Sequence, residues 1–290
     1  MKQASMVVVV MALAAGVWAQ QGSTAQTPPP AAGTAGQAAT PPAGKRPPQA
    51  KTQPEFDAYN VAKGLVANPA DMEKSVDDFA TKFPNSELTI LLERDLMHAY
   101  QSANNADKML EVGRKVLKLD PDDPEALIGV AEVLSERTKD TDLDRDQRVA
   151  EANKFAGHAL ETIDTDVVIP AGTPQERIDA YKGFLRSSAE AILGTLAFNA
   201  SKYTEAEAHF RKSIDAFPQQ PDPVVVLRLA VSLDQQGKYA DALKEANHAV
   251  DLTQESTAAG TAARHERDRL VQLTGGIPAS STPASPAPKN

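Results

Sequence analysis

The sequence predicts an all-α protein, an α-solenoid of stacked helical hairpins with disordered termini. Three observations lead there. The stretch "SKYTEAEAHFRKSIDAFPQQP" (201–221) is paraphrased by "GKYADALKEANHAVDLTQES" (237–256), which places Tyr203 and Tyr239 36 residues apart and Ala206 and Ala242 in the same register. A self-similar period of that length marks a repeat architecture, because each unit is one supersecondary element that stacks on its neighbours. Apolar residues recur at three- and four-residue spacings, as in Leu91, Leu96 and Tyr100 or Leu227, Ala230 and Leu233, the period of a helix face. Finally, Val, Ile and Thr never alternate over a strand-length run; the nearest case, "DVVIPAG", is cut short by Pro170. A single helical bundle is the alternative, and the regular spacing argues against it.

In chain order, residues 1–19 read as a secretory signal. Lys2 supplies the positive charge, "MVVVVMALAAGV" the apolar core and Val17-Trp18-Ala19 a small-x-small cleavage site. The apolar run is shorter than the roughly 20 residues a membrane span needs. No stable membrane insertion is therefore expected after cleavage, and the expected location is the periplasm or the extracellular space. Residues 20–53 are Pro, Ala, Gly, Thr and Gln with few large apolar side chains, so burial cannot offset their ordering entropy and a disordered linker is expected. Residues 54–274 form the solenoid, and 275–290, "GGIPASSTPASPAPKN", a loose tail. The chain has no cysteine and a formal net charge of −9. That excludes disulfides, thiolate metal sites and a lipidated N-terminal cysteine, and it argues against a general nucleic-acid binder.

Between residues 55 and 273 the pattern predicts about eleven helices. Pro84, Pro121 and Pro218 each close one. Thr204 with Glu207, and Thr173 with Pro174 and Glu176, read as capping boxes that open two others. The clearest unit keeps Leu193, Gly194, Ala197, Tyr203, Ala206, Phe210, Ser213 and Pro218; the next keeps Leu229, Ala230, Leu233, Gly237, Tyr239, Ala242, Ala246 and Ala249, with Gln254 where a closing proline is expected. An earlier unit keeps Leu96, Tyr100, Val116, Leu117, Asp120 and Pro121; another runs from "PEALIGVAEVL" to "AEANKFAGHALETI"; the first, 55–84, keeps only a helix-turn-helix outline.

These residues resemble the tetratricopeptide repeat (TPR) family over most of 55–253, most closely in the last two units. The resemblance implies a right-handed superhelix of hairpins. Independently of it, antiparallel helices approach closely only where side chains are small. Gly194 is thus expected to face Ala206, and Ala230 to face Ala242. Ser213 and Ala249 would let each second helix rest on the following unit, and "STAAGTAARHERDRLVQL" suits a capping helix.

Searches for chemistry end without a catalytic or cofactor motif. The sequence holds no Gly-rich phosphate loop, no Gly-x-Ser-x-Gly and no His-Glu-x-x-His. His98, His158, His209, His248 and His265 fall on separate helices, away from paired ligand spacing. A hydrolase would need a paired acid and base that the sequence does not offer. "DTDLDRDQRVAE" puts Asp140, Asp142, Asp144, Asp146 and Glu151 at calcium-loop places, but Arg145 stands where the loop needs glycine. The plain alternative is an insertion whose carboxylates favour a helix N-terminus.

The family resemblance implies a concave groove lined by first helices, here Arg94, His98, Gln101, Ile128, Glu132, Thr195, Phe198, Leu227, Val231 and Gln235. Family members that clamp a terminal carboxylate use a Lys, Asn and Arg cluster; Arg94 and Arg228 look isolated instead. The expected role is a non-catalytic, exported bacterial interaction scaffold that takes an unidentified protein partner as a peptide or helix. The alternative is a structural or assembly factor of the cell envelope.

Overall fold

Prolines and polar caps divide residues 53–273 into eleven helices in a computed structural model that describes residues 45–170 and 172–275. They are α1 (Gln53–Lys63), α2 (Pro69–Lys82), α3 (Thr89–Ser102), α4 (Ala106–Leu119), α5 (Pro124–Arg137), α6 (Arg145–Asp166), α7 (Gln175–Asn199), α8 (Tyr203–Ala216), α9 (Pro223–Gln235), α10 (Tyr239–Asp251) and α11 (Ala258–Leu273). No strand occurs among the described residues. The expected signal segment, most of the linker and the tail from 276 lie outside the described residues.

Consecutive helices pair as hairpins, α1 with α2 through α9 with α10, and α11 covers the end. First helices come within 8 Å of the next first helix all along the row, α1 to α3, α5, α7, α9 and α11, whereas no two successive second helices do. The row of first helices is therefore the inner face and the second helices splay outward. The core follows the same logic as four adjoining clusters, from Met72, Leu92 and Leu96 through Leu134 and Ile163 to Phe210, Leu229 and Leu270. No hairpin buries its apolar faces alone.

Three hairpins turn by one device. Asn104, Ser201 and Gly237 take left-handed backbone (φ 56°, 57° and 74°) between the two helices. The amide three residues past each helix then reaches back to a carbonyl five residues earlier: Asn105 to Tyr100 (2.9 Å), Lys202 to Ala197 (2.9 Å) and Lys238 to Leu233 (3.0 Å). This is the Schellman closure, for which glycine carries no Cβ penalty. Neither expected capping box forms. Lys202 is the N-cap of α8, so Thr204 sits inside the first turn and donates to Gln236 Oε1 at 3.2 Å, while Glu207 receives Lys238 at 2.7 Å and Gln236 at 2.9 Å. Those two residues tie one repeat to the next. Pro174 caps α7, and Thr173 donates backward to the Pro170 carbonyl. The capping box that does form is Thr52 with Glu55, opening α1.

Ala206, Ala230, Ala242 and Ala249 are fully buried. Gly194 faces Phe210 rather than Ala206: a Cβ there would lie 2.6 Å from the ring. Phe210 can press against α7 only because that side chain is missing. Ser213 bonds back to Ser187 of its own hairpin (2.8 Å to the carbonyl), whereas Ala249 joins Val226 and Ala263. Leu193 is half-buried against the α5–α7 core. Tyr203 stacks edge-on against Phe198 at 5.7 Å, but Tyr239 stays 45% exposed. The position equivalent to Phe198 one repeat on is Asp234, which binds Arg269 at 2.6 Å and offers no ring.

Gly194→Ala is expected to lower the unfolding free energy by roughly 1–3 kcal/mol through overpacking. Ser201→Gly is expected to raise it by about 1 kcal/mol by relieving left-handed strain. Denaturant unfolding followed by circular dichroism checks both.

Candidate functional site

The inner face is built from the polar positions of α3, α5, α7, α9 and α11. At its centre Glu125 receives groups from two other helices. His98 Nε2 on α3 donates to it at 2.8 Å, Arg94 lies 3.7 Å away, and Tyr181 on α7 is close enough to act on its titration. Asp123 caps α5 by accepting from the Ala126 amide (2.9 Å) and takes Arg94 at 2.5 Å. One turn further along, Gln101 donates to Glu132 at 3.2 Å.

The electrostatics follow from this packing. Burial alone would raise Glu125, but the bond from His98 and the charges of Arg94 and His98 outweigh it and bring its pKa down to about 2. Burial would lower His98, yet the Glu125 bond and charge raise it. Glu132 has weaker support. Burial first, and the charge of Glu136 next, push it up to about 7 against the pull of Gln101 and His98. Glu136 and Asp222 are also raised, chiefly by burial. Arg228 on α9 is lowered by burial and donates to Thr195 on α7 at 2.8 Å. Glu132, Glu136, Asp222 and Arg228 thus share one stretch of the inner face with few bonds among them.

The ten expected groove residues separate into two groups. Arg94, Ile128 and Thr195 are buried. Arg94 is neutralised by Asp123 and Glu125, so it is neither isolated nor free for a partner's carboxylate. Ile128 belongs to the core, and Phe198 packs on Tyr203 and on Phe210 (6.4 Å). His98, Gln101, Glu132, Leu227 and Val231 keep partial access and Gln235 is exposed. Leu227 and Val231 border an open, mainly apolar depression of about 640 Å³, completed by Ala258, Thr261, Ala262, His265 and Glu266. Sequence reasoning missed Asp123, Glu125, Tyr181 and Asp222. The repeated Asp-Pro pairs, Asp123-Pro124 and Asp222-Pro223, were the available signal, since each opens a first helix with an N-cap and a proline.

The acidic insertion is held by arginines. Arg145 pairs with Asp140 (3.1 Å) and Asp146 (3.0 Å), Arg148 with Asp144 (2.7 Å), and Arg114 with Glu151 (2.8 Å). Residues from Arg145 onward are already helix α6, so the calcium-loop path is not followed. Among the described residues no three carboxylate or imidazole groups are grouped to hold a metal ion. The histidines stay apart: His158 is on Asp122 (2.7 Å), His209 on Glu190 (2.6 Å), His248 on Glu245 (3.6 Å), and His265 borders the depression.

These shifts set a pH dependence. The raised His98 contributes stability that is full below its ordinary value of 6.5 and is lost as pH rises through its folded value. Glu132, raised from 4.5 to about 7, adds a loss between those two values. Glu125 acts oppositely, losing its contribution only as pH falls from 4.5 toward about 2. Stability is therefore expected to peak near pH 4.5–5.5 and decline to pH 8. Glu132→Gln should recover on the order of 1 kcal/mol at pH 7.5, a value reduced for partial solvation, and nothing at pH 4.5, measured by denaturant unfolding across pH.

No protein-family model and no curated protein sequence matches the chain. Among solved structures it is similar to pilF of Pseudomonas aeruginosa, with 16% identity over 77% of this chain and 87% of that one and a TM-score of 0.55. Two others are PilW, a type IV pilus biogenesis factor (18% identity, 79% and 97% covered, TM-score 0.46), and a thermophilic TPR protein of Thermus thermophilus (13%, 76% and 100%, 0.44). At such identities the likeness concerns the fold alone. The chain has the helical-repeat fold of TPR proteins.

Proposed function

We propose that this chain is a non-catalytic interaction scaffold, exported to the periplasm or the extracellular space, that binds a protein partner as an extended peptide or helix along its inner row of first helices. The observation that carries this reading is the composition of that face between α5 and α11. Glu132, Asp222 and Arg228 are half-buried ionisable groups sparsely bonded to one another, with the exposed Glu136 beside them. The apolar depression at Leu227 and Val231 continues the same face. Desolvated charges beside an apolar recess suit a partner that brings both counter-charge and apolar side chains. Export rests on the signal-like residues 1–19, and no helix among the described residues is long and apolar enough to cross a membrane.

Photo-crosslinking in the native cell tests the proposal. A photoreactive side chain at Val231 or Gln235 should give an adduct of one discrete mass. The same group at the outward Lys154 or Lys212 should not, and Glu132→Arg should cut the Val231 adduct about tenfold, the scale of one lost charged contact. Adducts from the outer positions alone would point to the envelope-assembly alternative.

A further inference from the structure

Residues 45–51, "KRPPQAK", have the composition of a linker, yet they lie extended against the solenoid. This is a departure from the expected linker of residues 20–53. Lys45 Nζ is 2.7 Å from Asp120 in the α4–α5 loop and 2.7 Å from Asp166 at the end of α6. Arg46 pairs with Glu87 at 2.8 Å, and the Gln49 amide donates to the same carboxylate at 3.2 Å. Lys51 reaches the Asn85 carbonyl (2.6 Å), and its amide donates to Glu55 at 2.7 Å. Glu55 also takes the hydroxyl of Ser86, and Ala50 packs against the first core cluster. Pro47 and Pro48 keep the segment extended and give it no helix to join.

The segment therefore enters the array at the third hairpin and runs back along the inter-repeat loops to the first. All three of its cations find acceptors on loops of other repeats. The receiving edge is acidic: Glu87, Asp120 and Asp166 touch the strap, and Asp122 beside them is paired with His158. The hairpin it leads into is the least anchored. Tyr59 and Ala62 are the only hydrophobic side chains α1 buries, and Phe56 and Val61 stay exposed.

We infer that residues 45–51 are an ionic strap that holds the α1–α2 hairpin onto the array by tying the edges of the first three repeats, and that it loosens as ionic strength rises. A partner, or a pull on the preceding chain, then meets Lys45 at Asp120 and Asp166 before it reaches α1.

Hydrogen exchange on the full chain tests this between about 0.01 M and about 1 M salt, where the screening length falls from about 30 Å to about 3 Å. The amides of Gln49 and Lys51 and those of α1–α2 should exchange roughly 3- to 10-fold faster at the higher salt, the range set by two or three partly exposed ion pairs. Exchange in α9–α10 should not change. The double variant Lys45→Gln, Arg46→Gln should start at the faster rate and respond little to salt. Unchanged exchange in that variant at low salt would overturn the inference. So would a salt response confined to residues 45–51 without α1–α2, or one shared equally by α9–α10.

Discussion

Contact between first helices is the constraint on which the rest of this structure depends. Each backbone lies within 8 Å of the next along the whole row, while successive second helices stay farther apart and meet through long charged side chains such as Arg114 and Glu151. An array packed more closely along one side than the other curves toward the closer side. The inner face is consequently narrow and rich in neighbours, and charged groups there lose water without leaving the surface. Glu125 shows how that cost is met. It collects a histidine, an arginine and a tyrosine from α3 and α7, so its charge is stabilised even though its solvent is gone. Such a cluster gains little over an apolar core of the same shape, but removing one member strands the others. Glu132 and Glu136 lie about two and three turns further along α5 with far fewer partners, which is why burial dominates their titration. The same helix thus carries a well-bonded polar cluster and a sparsely bonded one.

The outer side is governed by size instead. Gly194 and the buried alanines let the helices of each hairpin close, and the left-handed residue at 104, 201 and 237 sets the angle at which they start. Where a repeat lacks one of these pieces, another interaction takes its place. Asp234 has no ring to offer Tyr239, and it binds Arg269 of the covering helix. The α5–α6 connection lacks the tight turn, and its aspartates are held by Arg145 and Arg148.

Helix number, helix order and repeat boundaries were readable because they rest on local signals: small residues at a fixed period, and prolines two places past a helix end. The buried alanines were readable for the same reason. Polar partners were not. Asp123, Glu125 and Tyr181 come together from helices separated by some fifty residues of chain, and nothing in the spacing within one repeat announces that meeting. Thr204 and Glu207 fit a capping box by spacing, but the tight turn after α7 makes Lys202 the N-cap of α8, which places both inside the helix and turns them to the next repeat. Composition misled for residues 45–52, where three cations and an alanine dock an otherwise linker-like segment. Phe198 sits on the groove stripe of α7 by count, yet two nearby rings draw it away.

The central claim is that curvature is held from the inner face, with Glu125 as its chief polar tie. The chain has no cysteine, so a pair of spin labels can be placed at Lys74→Cys on α2 and Lys244→Cys on α10, both exposed, without background labelling. Double electron–electron resonance then reports the distance between the two ends. The account predicts one narrow distance in the parent and a longer, broader distribution in Glu125→Ala, with helix content retained. Identical distributions in the two proteins would contradict it.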